Sequence, residues 1–169
     1  MRLPSLGVSL AVLLAGVCVP EALAQVRPGI YGYLVRGQAG QAGEFCHVFD
    51  CTPRALAVVA GETLTLTVNA PRQAVFGIAV APSASGCIQI PGLANALVLD
   101  APFFTLALGV VSQQSPVRAC WDGRQDLSLP LPPTLPTGFQ FATQAVAAVP
   151  LATGGDGPAF SVAVVTTVR

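Results

Sequence analysis

Thr63-Leu64-Thr65-Leu66-Thr67-Val68 is the most regular stretch of the chain, and it decides the fold class. Leu64, Leu66 and Val68 fall on one side of an extended backbone, and Thr63, Thr65 and Thr67 on the other. Successive side chains of a strand point to opposite faces, so this period of two predicts a half-buried β-strand. Residues 73–80 repeat it, with Ala74, Phe76, Ile78 and Val80 on one face and the small Gly77 and Ala79 on the other. Outward from this pair the apolar runs stay short, at 30–35, 96–99, 103–111, 117–121, 127–131, 139–149 and 159–168. Turn formers separate them at 82–86, 91–92, 101–102, 122–123, 130–136 and 154–158. No window of helical length combines a three-four periodicity with good caps. Short strands at this spacing predict an all-β fold, a single antiparallel β-sandwich (jelly-roll or immunoglobulin-like) of about 8–9 strands.

Three stretches refine that expectation. Proline has no N–H to give a ladder, so the proline-rich 130–136 segment is an edge or a crossover between sheets. After it, Gly138 opens a strand with Phe139 and Phe141 on one face and Gln140, Ala142 and Gln144 on the other. The Gly-Gln-Ala repeat at 37–43 reads as a flexible loop. Residues 93–111 are apolar enough to raise a transmembrane helix, but Asp100 and Pro102 sit near the middle. A mid-membrane Asp costs about 2.5–3.5 kcal/mol, so two strands meeting at a turn fit better.

The tail has a cadence of its own: Leu129-Pro130-Leu131-Pro132, then Leu135-Pro136-Thr137-Gly138-Phe139-Gln140-Phe141, then Gln144-Ala145, a Gly-rich turn, and Phe160-Ser161-Val162-Ala163. It resembles the C-terminal part of small secreted β-sandwich domains that recur in extracellular proteins of planctomycetes and related bacteria. The resemblance implies fold and export, and carries no activity.

Composition bounds the function. Of 169 residues 53% are hydrophobic and 9% charged, with eight basic and eight acidic residues and no net charge. Every basic residue is Arg. Without a basic patch there is nothing to neutralise phosphates, which excludes nucleic acid as the expected partner. Charge-driven disorder and a charged coiled coil are excluded on the same ground.

The first residues read as an export signal. Arg2 is followed by an apolar core at 6–19, Pro20, and the small-x-small pattern of Ala22, Leu23 and Ala24. Cleavage after Ala24 gives three stretches. They are the signal peptide at 1–24, an N-terminal strand with the Gly/Gln/Ala loop at 25–45, and the body at 46–169, which forms one domain with 25–45. Cys18 follows Val17 rather than a small residue, which argues against a lipidated N-terminus. Export to a secreted, periplasmic or cell-surface location leaves Cys46, Cys51, Cys87 and Cys120, an even number that predicts two disulfides with three connectivities. The favoured pairing is Cys46–Cys51, clamping a local loop, with Cys87–Cys120 joining distant strands. A metal site at Cys46, His47 and Cys51 lacks the second half that zinc spacings need, so no metal is expected.

Catalytic patterns are sparse. His47 is the one histidine, and neither a G-x-S-x-G elbow nor an H-E-x-x-H helix occurs. Ser112, Ser115 and Ser161 have no base nearby in sequence. Glu44, Asp50, Glu62, Asp100, Asp122, Asp126 and Asp156 mostly neighbour turn residues, where a carboxylate caps backbone. Asp122 and Asp126 suggest part of a calcium loop but lack its ligand ladder. Trp121 beside Cys120 is expected to pack on a disulfide, and Tyr31 and Tyr33 to serve strand packing. The expectation is therefore a secreted, non-enzymatic module without cofactor, of envelope-structural, adhesive or partner-binding type. Its partner is a protein or cell surface, with self-association possible and no membrane span. The alternatives are a small outer-membrane β-barrel, and a secreted hydrolase using His47 or the pair Asp122 and Asp126.

Overall fold

The computed structural model describes residues 31–45, 50–116, 122–151 and 154–169. Its strands run β1 (Gly32–Gly37), β2 (Gly40–Glu44), β3 (Arg54–Val58), β4 (Thr63–Ala70), β5 (Val75–Ala81) and β6 (Ala84–Gln89). They continue with β7 (Ala96–Leu99), β8 (Phe104–Val110), β9 (Gln113–Gln114), β10 (Gly123–Pro130), β11 (Gln140–Pro150) and β12 (Asp156–Val168). The all-β expectation holds, and no helix occurs among the described residues. The strands outnumber the expectation because β2, β3, β6 and β9 carry little hydrophobic alternation.

One five-stranded sheet has the order β2-β1-β4-β10-β9, and a second the order β3-β12-β11-β5-β8. Pairing is antiparallel except between β3 and β12, which run parallel. Neither sheet closes on itself, so a transmembrane barrel is ruled out as the arrangement of these strands. The 63–68 alternation sits in the centre of the first sheet, where Leu64, Leu66 and Val68 are buried. They meet Phe76, Ile78, Phe141, Ala145 and Val164 of the second sheet in one core. Burying a side chain of this size is worth about 1.5–3 kcal/mol, so the alternation fixes which face each sheet turns inward. The Tyr33 hydroxyl crosses this core and donates to Thr143 Oγ1 at 2.9 Å. The 130–136 segment carries the chain from β10 in one sheet to β11 in the other, the crossover that its prolines predicted.

The repeat at 37–43 is a loop only at its centre. Residues 40–43 belong to β2, which pairs with β1 from Gly37↔Gly40 to Tyr33↔Glu44. Glycine is needed here, since a Cβ on Gly43, with φ of +106°, would come within 2.1 Å of the Tyr33 carbonyl oxygen.

A third layer was not anticipated. β6 and β7 form their own two-stranded sheet and cover part of the outer face of the second large sheet. Leu97, Val98 and Leu99 are buried there against Ala81, Ala142 and Ala163, whose small side chains admit a close approach. The run at 96–99 is thus buried on both faces. Residues 82–86, expected as a turn, in fact lead into β6.

Gln144 joins the layers. The register of β11 and β12 slips between Gln144 and Val146, leaving Ser161 and Val162 opposite the irregularity. There the Ala145 N–H donates to Ser161 Oγ at 3.0 Å, and Gln144 Nε2 donates to the Ser161 carbonyl at 2.7 Å. The same amide donates to the Ala96 carbonyl at 2.9 Å and accepts from the Val98 N–H at 3.0 Å. Gln144 thereby supplies β7 with the backbone partners a neighbouring strand would give. Each buried polar group left unpaired costs about 1–3 kcal/mol. Gln144→Leu is therefore expected to lower unfolding free energy by about 3 kcal/mol or more in urea titrations. Gln140→Leu, at an exposed position on the same strand, is expected to stay within about 0.5 kcal/mol of the parent.

Candidate functional site

Several residues singled out in the sequence, namely the signal segment, Cys46, His47, Cys120 and Trp121, lie outside the described residues. Cys51 and Cys87, by contrast, are bonded to each other, with Cα atoms 5.6 Å apart. This overturns both expected pairings, Cys46–Cys51 and Cys87–Cys120. The physical reason is the third layer: β6 lies close to the segment leading into β3, which sets Cys87 beside Cys51. On the loop-entropy model a link across 36 residues stabilises by about 3–4 kcal/mol. The bond also removes Cys51 as a thiolate metal ligand.

Several charged side chains among the described residues hold strands and turns together. Arg54 donates Nε to Glu44 and Nη2 to Asp50, each at 3.0 Å, and so ties β3 to the end of β2. Those two carboxylates, Asp50 foremost, hold the Arg54 guanidinium above its usual pKa. Glu62 is buried and accepts the Gln38 and Val59 N–H groups, both at 2.8 Å. Asp100 takes the Ser83 hydroxyl at 2.7 Å and the Ser85 hydroxyl at 3.0 Å. Those bonds, led by that of Ser83, hold its carboxyl below the ordinary range.

Asp122 and Asp126 do not form a pair. Asp122 is bridged to Arg72 at 2.7 Å, which lowers its pKa. Asp126 receives Arg124 Nε at 2.8 Å on one oxygen and Nη2 at 2.8 Å on the other. It also accepts the Thr67 hydroxyl at 2.6 Å. Partial burial alone would raise the Asp126 pKa, but the bonds from Arg124 and Thr67 outweigh it and the net shift is downward. Among the described residues, no three His, Cys, Asp or Glu side chains gather as a metal-binding group. Ser112 donates to Gln125 at 2.9 Å, and Ser161 is used in the bulge. A shallow depression of about 250 Å³ at the β1–β2 turn is lined by residues 36–41, where Arg36 is held by Gln41 at 3.1 Å.

What the described surface does offer is apolar. Val75 on β5 pairs with Val110 on β8, and Gly77 pairs with Leu108, so Val75, Leu108 and Val110 share the outer face. Their exposures are 62%, 76% and 44%. Leu108 leans across Gly77 towards Val146, since a Cβ at Gly77 would lie 3.1 Å from one and 3.4 Å from the other. Phe104 is exposed as well, but it pairs with Val80 beyond the bulge and so lies on the other face of β8. The β6–β7 layer covers the far part of this sheet and leaves this strip bare. Contiguous exposed apolar surface of this kind marks contact sites. Sequence reading missed it because the 103–111 run looks like any buried strand.

No protein-family model matches the chain, and no curated protein shows a significant similarity to it. No helix among the described residues is long and apolar enough to cross a membrane.

Proteolysis of the unreduced protein should yield a linked peptide containing Cys51 and Cys87, and recovery of a Cys46–Cys51 or Cys87–Cys120 peptide would contradict the assignment. The only two tyrosines, Tyr31 and Tyr33, are both buried, and burial pushes both phenols up. Their neutral forms favour the folded state fully below about pH 10, the unfolded value. Above it, stability falls by about 1.4 kcal/mol per pH unit for each phenol. Phenolate absorbance is therefore expected to appear together with unfolding in an alkaline titration. A gradual rise while the circular dichroism stays native would show an accessible phenol.

Proposed function

We propose that the protein is an exported, non-enzymatic β-sandwich module that works by making contacts at the cell exterior, as an envelope-structural, adhesive or partner-binding component. The observation that carries this reading is the uncovered apolar strip of Val75, Leu108 and Val110 beside a third layer that shields the rest of the same face. The two sheets facing each other across one core support a sandwich of jelly-roll or immunoglobulin type. The cadence of residues 129–163 supports the same fold, through its resemblance to secreted domains of planctomycete-type bacteria. The Cys51–Cys87 disulfide favours an oxidising compartment. A second disulfide belongs to this reading, with Cys46 and Cys120 as the remaining candidates. The carboxylates raised as hydrolytic candidates, Asp122 and Asp126, serve as partners of Arg72 and Arg124.

Fractionation of the producing cells tests it. The protein is expected with washed cells or envelope, its cysteines resistant to alkylation. A double variant, Val75→Lys with Leu108→Lys, should fold and lose most of that retention. A cytosolic protein with freely alkylated Cys51 and Cys87 would overturn the proposal.

A further inference from the structure

β8 is an edge strand: it pairs with β5 on one side, and no strand among the described residues pairs with the other. Natural proteins blunt such edges with charges, prolines or bulges, because the unpaired N–H and C=O groups template another strand. Here residues 103–111 read Phe-Phe-Thr-Leu-Ala-Leu-Gly-Val-Val, with neither a charge nor a proline. β5 and β11 beside it are uncharged as well. One bulge is present: Ile78 faces Ala107 and Ala79 faces Thr105, which makes Leu106 the extra residue. It leaves Ala107–Val110 as a regular edge, and this is the half next to the exposed Val75.

We propose that β8 docks on β8 of a second copy of this chain, antiparallel about a two-fold axis near Leu108, and joins the two second sheets into one. This deepens the contact-module reading above by naming the partner. Two observations select a second copy. A bare strand edge calls for an extended strand, and an antiparallel pair of identical strands satisfies both edges with one operator. The neutral strip offers a charged partner nothing to recognise, and a chain with no net charge does not repel its own copy.

Sedimentation equilibrium of the full chain, from micromolar to millimolar concentration, tests the pairing. The parent is expected to dimerise reversibly, with amides of residues 107–110 gaining protection from hydrogen exchange as concentration rises. Leu108→Lys places two ammonium groups together at the axis and should weaken the dimer by about tenfold or more. Val110→Lys, two residues from the axis on β8 itself, serves if Leu108→Lys does not fold. Ile88→Lys, at an exposed position of β6 in the third layer, should leave the dimer intact. A parent that stays monomeric throughout overturns the inference, as does equal weakening by Leu108→Lys and Ile88→Lys. If the monomeric parent still binds washed cells through the strip, the pairing fails while the contact-module reading stands. A dimer found in a reduced, cytosolic protein has the reverse meaning.

Discussion

The side-chain amide of Gln144 is the constraint on which the layered arrangement depends. A bulge in β12 breaks the ladder where it passes β11, and β7 arrives above the same spot with free N–H and C=O groups of its own. One buried amide, donating to two carbonyls and accepting one N–H, answers both needs. Ser161 completes the repair by accepting the Ala145 N–H. A buried polar group is tolerable only when its partners are present, so this cluster fixes the register of β11, β12 and β7 together. Apolar packing alone would permit β7 to slide along the alanine-lined face. The hydrogen bonds do not.

Much of the fold was legible because it rests on period-two burial. The inward faces of β4, β5 and β11 follow directly from Leu64, Phe76 and Phe141, and the run at 96–99 is β7 to the residue. Elements with no hydrophobic signal were not legible. β2 reads Gly-Gln-Ala-Gly-Glu and β6 reads Ala-Ser-Gly-Cys-Ile-Gln, and each is a strand because a neighbour's backbone offers it a ladder. The disulfide was misassigned for the same reason. Pairing Cys51 with Cys87 requires knowing that β6 folds back over a sheet whose existence the hairpin itself does not announce. The tail cadence occupies middle ground, since Gln144, Ala145 and Ser161 stand out as a pattern but their meeting at one bulge is visible only in three dimensions.

The candidate surface was illegible in a different way. Exposure is a property of what fails to cover a residue, and nothing in residues 103–111 distinguishes Leu108 from the buried Leu66. Charged residues were easier to judge. Glu62 and Asp126 stand beside turn residues in sequence, and in the structure each closes a seam; Arg54, which no sequence pattern marks, ties β3 of one sheet to β2 of the other. Among the described residues Arg54, Arg72 and Arg124 are bound by carboxylates, while Val75, Leu108 and Val110 stand uncovered.

The parallel pairing of β3 with β12 bears on when the chain can fold. Arg54 lies beside Val164 in the register, so β3 has no ladder until residues 110 positions further along have been synthesised. β12 also pairs along β11 and lies between it and β3, at the interior of the second sheet. A nascent chain lacking it has every strand of the first sheet but cannot finish the second, and long-range pairing of this kind is slow. Such a chain cannot close the core between its two sheets until its synthesis has passed β12. Until then the inward faces of β5 and β11 lack a finished sheet beside them, so the late arrival of β12 sets how long Phe76, Ile78 and Phe141 stay open to wrong partners.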